Sequence, residues 1–104
     1  MYRAGDEVDQ RQWLEELEAV AEDLGLDAEA RSTAKDLFLS TGETADAERS
    51  KPAAVAASVY AGALIAGDQR SQTAVAEAAD VSRLVIQQRW KDVLDEAGFD
   101  PPTW

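Results

Sequence analysis

Apolar residues recur along this chain at intervals of three and four, a spacing that predicts helices rather than strands throughout. From Asp9 to Leu24, Trp13, Leu17, Val20 and Leu24 fall on one stripe with Leu14 and Ala21 beside it. Glu15, Glu16, Glu18, Glu22 and Asp23 fill the opposite face, and Gly25 supplies the left-handed residue that ends such a helix. Asp27 is placed to cap a second helix, with Ala30, Ala34, Leu37 and Phe38 on its inner side and a stop near Thr41-Gly42. Residues 43–49 show no periodicity and read as a loop. Lys51-Pro52 opens a third helix, with proline in the first turn, where its missing N–H costs nothing. Val55, Ala56, Val59, Tyr60, Ala63 and Leu64 are interleaved there with Ala, Gly and Ser, and Gly67-Asp68 closes the run. A helix apolar nearly all round is a central one, packed on several sides.

Two shorter segments complete the chain. Ser71 is placed to cap a fourth helix holding Val75, Ala76 and Ala79; Asp80-Val81 makes a tight turn. Ser82 then caps a fifth helix with Ile86, Trp90, Val93, Leu94 and Ala97 inward. A helix-turn-helix needs an aliphatic residue followed by alanine in its first helix, because the second helix crosses there at short range. It also needs an aliphatic residue after the turn and another inside the second helix. Val75-Ala76, Val81 and Ile86 fill those places, and Asp80 stands where glycine is usual, because Asp can enter the left-handed region. Any two amphipathic helices joined by a short turn share much of this pattern, so a purely packing role stands beside the functional one. The expected organisation is an all-α, five-helix domain over residues 9–98, with the helix-turn-helix over about 72–97. Residues 1–8 and 99–104 read as tails, the second ending in Pro101-Pro102-Thr103-Trp104.

Length and composition narrow the functions available. The 104 residues have room for one core, and with no cysteine and no histidine the chain has no disulfides, thiolate zinc sites or imidazole chemistry. No paired catalytic set is present, so the expectation is a non-enzyme without cofactor or metal. Trp13 and Trp90 lie on buried stripes and read as core rather than as an aromatic ligand site; the glutamates of the first helix read as a solvated face. The chain has neither the run of about 20 apolar residues that spans a membrane nor a signal-peptide pattern, and a cytoplasmic location is expected.

Charge changes the picture more. The net charge is −11, from 21 acidic and 10 basic residues. It suits either an acidic surface for a basic partner or adaptation to high salt; only three of the cations are lysines, and alanine replaces larger aliphatics at many positions. Residues 1–50 hold 14 acidic and 5 basic side chains, a net −9, whereas Arg70 to Lys91 hold 4 basic and 2 acidic, a net +2. A surface that tolerates phosphates must lie in this second region. Arg83, Gln87 and Lys91 are spaced by four along the fifth helix, with Leu84 and Gln88 beside them and Ser82 at its start. Arg and Gln reach base edges, while Lys91 and Arg70 are candidates to hold phosphates. The DNA-binding set expected from these positions is Arg70, Ser82, Arg83, Leu84, Gln87, Gln88 and Lys91. The alternative is a solvated or protein-contacting face. Arg89, beside the buried stripe, is placed to bridge to an acidic residue.

The segment AVAEAADVSRLVIQQRWKDVLDEAG resembles the C-terminal end of a cyclin-like repeat of archaeal transcription factor B and eukaryotic transcription factor IIB. Upstream, Ser50-Lys51-Pro52 and the alanine-rich run to Tyr60 are similar to that family's third helix. The resemblance is strongest from Ser50 to Leu94 and implies a five-helix cyclin-like fold, a role in transcription regulation and binding to promoter-type DNA. It also implies docking on the TATA-binding protein or another protein of the transcription machinery. With the acidic composition it suggests a haloarchaeal source. Leu84 matches the family's base-contacting aliphatic position, but the arginine one turn later is Gln87, which favours adenine over guanine and points to an altered or lost base preference. The full factor has a zinc ribbon and two repeats; this cysteine-free chain with one repeat is expected to be a stand-alone regulatory protein, and its initial methionine favours a whole gene product. A cyclin-like module that binds protein without reading DNA is the rival reading, favoured by the acidic first half. An antagonist that competes with the full factor is compatible with either.

Overall fold

Five helices form in the order the periodicity sets: α1 (Ala4–Asp23), α2 (Ala28–Ser40), α3 (Lys51–Ala66), α4 (Gln72–Ala79) and α5 (Arg83–Glu96). The computed structural model describes residues 4–40 and 51–98; the stop at Thr41-Gly42, the loop 43–49 and the C-terminal tail with Trp104 lie outside the described residues. One boundary differs from expectation. The first helix begins at Ala4, so the segment read as a tail over 1–8 is already helical from its fourth residue.

The central helix is α3, which touches each of the other four. Every residue from Val55 to Ala63 is buried, as a helix apolar on all sides must be. Around it pack Leu17 and Val20 of α1, Leu37 and Phe38 of α2, Val75 of α4, and Ile86 and Leu94 of α5. Trp90 is buried and stands edge-on to Tyr60 with ring centroids 5.5 Å apart, while Trp13 is half-buried against the same core. At Gly62 the fit is tightest: an added Cβ would lie 2.7 Å from both Cα and N of Ala34, so α2 and α3 meet backbone to backbone. Among the described residues the buried polar side chain is Ser58, whose hydroxyl finds no partner.

Three helices end by the same device. Leu26 N–H reaches Ala21 O at 3.0 Å and Gly25 N–H reaches Glu22 O at 3.0 Å, with Gly25 at φ 72°. The same pair of bonds recurs at Gly67-Asp68, onto Leu64 O and Ala63 O, and at Asp80-Val81, onto Glu77 O and Ala76 O. These are Schellman endings, which need a residue in the left-handed region; Asp80 adopts it at φ 60°, the one non-glycine to do so among the described residues.

The turn after α1 and the loop after α3 are tied together. Asp27 Oδ1 accepts from Ala30 N–H at 2.8 Å and so caps α2, while Asp27 N–H donates to Asp68 Oδ2 at 3.0 Å. Glu18 of α1 pairs with Arg31 at 3.7 Å and with Lys35, both on α2. Among the described residues no helix is long and apolar enough to cross a membrane.

Candidate nucleic-acid interface

The α4–α5 unit is held by its two caps and the turn between them. Ser71 Oγ accepts from Ala74 N–H at 3.0 Å, and Ser82 Oγ accepts from Val85 N–H at 3.2 Å. Each such cap stabilises its helix by about 1 kcal/mol, which matters for α4 because it has only eight residues. Val75, Ala76 and Ile86 are buried and Val81 packs half-buried against the same core, so the four apolar positions singled out in the sequence act together to set α5 against α4.

That placement fixes the rotation of α5. With Ile86, Trp90, Val93 and Leu94 buried, the opposite face presents Arg83, Leu84, Gln87, Gln88 and Lys91, all exposed. Leu84 is 57% exposed, the most of any large apolar side chain described. Arg83 to Lys91 is a rise of about 12 Å along the helix, close to the width of a DNA major groove. Arg83 Nη1 donates to Gln87 Oε1 at 3.3 Å, one turn on. Lys91 Nζ stands 5.6 Å from the centroid of the Trp90 ring. Ser82 is exposed and its oxygen is occupied as the cap. Arg89 is half-buried and makes no ion pair with any described residue, so the bridge expected of it is not formed there.

Arg70 differs from the sequence expectation. Its guanidinium reaches back to the end of α1, donating from Nε to Leu24 O at 3.0 Å and from Nη2 to Gly25 O at 3.2 Å. Nη1 donates to Asp68 Oδ1 at 2.7 Å and to Asp68 O at 3.0 Å. These carbonyls are the negative end of a helix, where a cation is favoured, and among the described residues α5 does not pack against α1. Arg70 thus fastens two turns and is not brought together with the α5 stripe. The hydrogen bond from Arg70, then that from Asp27 N–H, hold the Asp68 carboxyl below its usual range. Asp92 and Asp95, which the sequence pattern did not single out, are exposed on the turn after Lys91, and they end the cationic part of α5 there. Their signal was simply the sign change at Lys91-Asp92.

The structure defines a class first: an all-α repeat of five helices around a central third, with a capped helix pair at its C-terminal end. The model of the family described as Transcription factor TFIIB repeat matches residues 7–96, and the chain belongs to that family, whose repeat is a cyclin-like all-α fold. It is a family of transcription factors rather than of enzymes. The chain is 36% identical to Transcription initiation factor IIB 2 of Haloferax volcanii over 76 residues, which are 72% of this chain and 23% of that protein. It is 34% identical to Transcription initiation factor IIB 6 of Halobacterium salinarum over 76 residues, 72% of this chain and 24% of that one. Against Transcription initiation factor IIB of Pyrococcus abyssi the identity is 30% over 83 residues, 79% of this chain and 28% of the relative. The chain therefore spans about a quarter of the length of these relatives.

Proposed function

We propose that this chain is a non-enzymatic regulator of transcription, cytoplasmic and of haloarchaeal origin, in which α4 and α5 act as a helix-turn-helix on promoter-type DNA. The observation that carries this reading is the rotation of α5: its caps and buried stripe leave Arg83, Leu84, Gln87, Gln88 and Lys91 together on one exposed face. In a helix-turn-helix the N-terminal residues of the second helix meet base edges. Arg83 is the first residue of α5, so Arg83 and Gln87 read bases, Leu84 contacts a thymine methyl, and Lys91 with the Ser82 hydroxyl holds phosphate. Arg70 has no part in this set.

The net charge of −11 opposes such binding in dilute buffer. In roughly molar salt the Debye length is about 3 Å, so distant carboxylates no longer repel the phosphates. The same salt removes most of the gain from counterion release, and binding rests on hydrogen bonds and shape. The test is an NMR titration of the labelled chain with short promoter-type duplexes in about molar salt. Shifts are expected to cluster at Ser82 to Lys91 and to vanish in the Arg83→Ala, Gln87→Ala double variant. Arg83→Ala alone should weaken binding by about 1–3 kcal/mol. A silent α5 in the intact fold would defeat this reading.

A second reading is supported by α1, where Glu15, Glu16, Glu22 and Asp23 are exposed. This face suits a basic patch on a protein partner, such as the TATA-binding protein or another member of the transcription machinery. Shifts confined to α1 on adding such a partner would favour it.

A further inference from the structure

We propose that a cleft between α1 and the α4–α5 turn receives a cationic side chain, arginine or lysine, from a basic segment of a partner protein. This rests on the second reading above, the acidic face of α1, and gives that face a defined point of attachment. Trp13 and Glu16 of α1, Pro52 and Val55 near the start of α3, and Ala79 and Asp80 at the end of α4 line a cleft of about 370 Å³. That is the lower end of the range that encloses a small ligand, about 300–1,000 Å³, and suits a single long side chain. Its lining has two parts. Val55 is buried and Trp13 half-buried, and with Pro52 and Ala79 they form an apolar wall. Glu16 and Asp80 are exposed and bring two carboxylates, one from α1 and one from the turn. Neither is in an ion pair among the described residues, and no lysine or arginine lines the cleft.

This combination matches the two halves of a basic side chain. An apolar wall covers the methylene stem of a lysine or arginine while the charged head stays at the polar edge. An indole attracts a cation over its face, and carboxylates pair with it by charge-assisted hydrogen bonds. Phosphates would meet the same carboxylates and be repelled, so the cleft is no part of a DNA surface. Asp80 is unusual where it stands. Its φ of 60° is a conformation that glycine adopts more easily, and the C-terminal end of a helix disfavours a negative charge. The cap itself does not use the side chain, because it is the backbone N–H of Asp80 that donates to Ala76 O and Glu77 O. What Asp80 adds over glycine is a carboxylate on the cleft.

The whole labelled chain is titrated by NMR with acetyl-Gly-Arg-Gly-amide, its lysine counterpart and its neutral citrulline counterpart. The salt is about molar, where a Debye length of about 3 Å suppresses attraction between separated charges. Both cationic peptides should bind with roughly millimolar affinity, saturably shifting the Trp13 indole N–H and the amides of Glu16 and Asp80. The citrulline peptide should bind roughly tenfold more weakly. Asp80→Asn, which still tolerates the left-handed backbone, and Glu16→Gln should each weaken the cationic peptides by roughly two- to fivefold. Both side chains are exposed, and the helical circular dichroism of each variant checks that the fold is retained. Equal binding of the citrulline peptide, or affinities unmoved by both substitutions, would overturn the cationic occupant. Silence at Trp13 and Asp80 would overturn the cleft. A polylysine peptide then separates the two ideas: shifts at Glu15, Glu22 and Asp23 keep the acidic face as a docking surface without the cleft, and silence there as well removes both.

Discussion

At Gly62 two opposing effects of a methyl group can be compared directly. Alanine is better than glycine in a helix interior by about 1 kcal/mol, and Gly62 has an ordinary helical backbone. Its Cβ, however, would stand 2.7 Å from the Cα and N of Ala34, and these are backbone atoms that cannot rotate aside. Overpacking of that kind costs about 1–3 kcal/mol and forces α2 and α3 apart. Gly62→Ala is therefore expected to lower the thermal midpoint by several degrees, at about 4–8 °C per kcal/mol for a domain of this size. A melt followed by circular dichroism reads it, and a raised midpoint would mean that propensity outweighs the contact. Asp80 is the converse case: a residue that pays some strain to sit where glycine is usual, and that strain was legible because Ala-Ala-Asp-Val-Ser left no other residue for the turn.

The helices themselves were largely readable, and the exceptions have physical causes. Asp27, Ser71 and Ser82 cap the helices expected of them, since a cap is a local side-chain-to-backbone bond that sequence neighbours determine. The start of α1 was missed because residues 4–8 carry no apolar stripe. The α5 face was legible, because Ile86, Trp90 and Leu94 fix its rotation and leave Arg83, Gln87 and Lys91 opposite. Arg70 was not: closeness in sequence to α5 says nothing about which turn the side chain folds over, and its partners are 45 and 46 residues away. At this junction Asp68 titrates below its ordinary value of 3.8, owing first to Arg70 and then to Asp27 N–H. A depressed carboxylate contributes stability fully above its unfolded pKa and loses it as pH falls through the folded one. Asp68→Asn should thus lower the melting temperature near neutral pH, and the gap from the wild type should narrow as pH falls through the folded pKa of Asp68. Midpoints of both proteins across that range test it; a gap that stays constant would show that the charge of Asp68 does not matter.

For the molecule as a whole, 21 acidic residues face 10 basic ones, and Glu18 and Asp68 are two of the acids held in ion pairs. Most of the remaining described carboxylates are exposed and repel one another, which opposes compactness in dilute buffer. Raising sodium chloride from about 0.05 M to about 1 M shortens the Debye length to about 3 Å. The melting temperature should rise, by about 4–8 °C for each kcal/mol of repulsion relieved. A midpoint independent of salt would mean that the folded state carries its charge without penalty. A different consequence follows from the clamp of Arg70 onto Leu24 and Gly25. On the ribosome α1 and α2 emerge first, and the side chain that fastens the turn between them is made 45 residues later. Until α3 has been synthesised and the loop behind it has left the exit tunnel, the acidic N-terminal half has neither its central packing partner nor its fastener. Its first turn acquires its final geometry only after Arg70 has emerged.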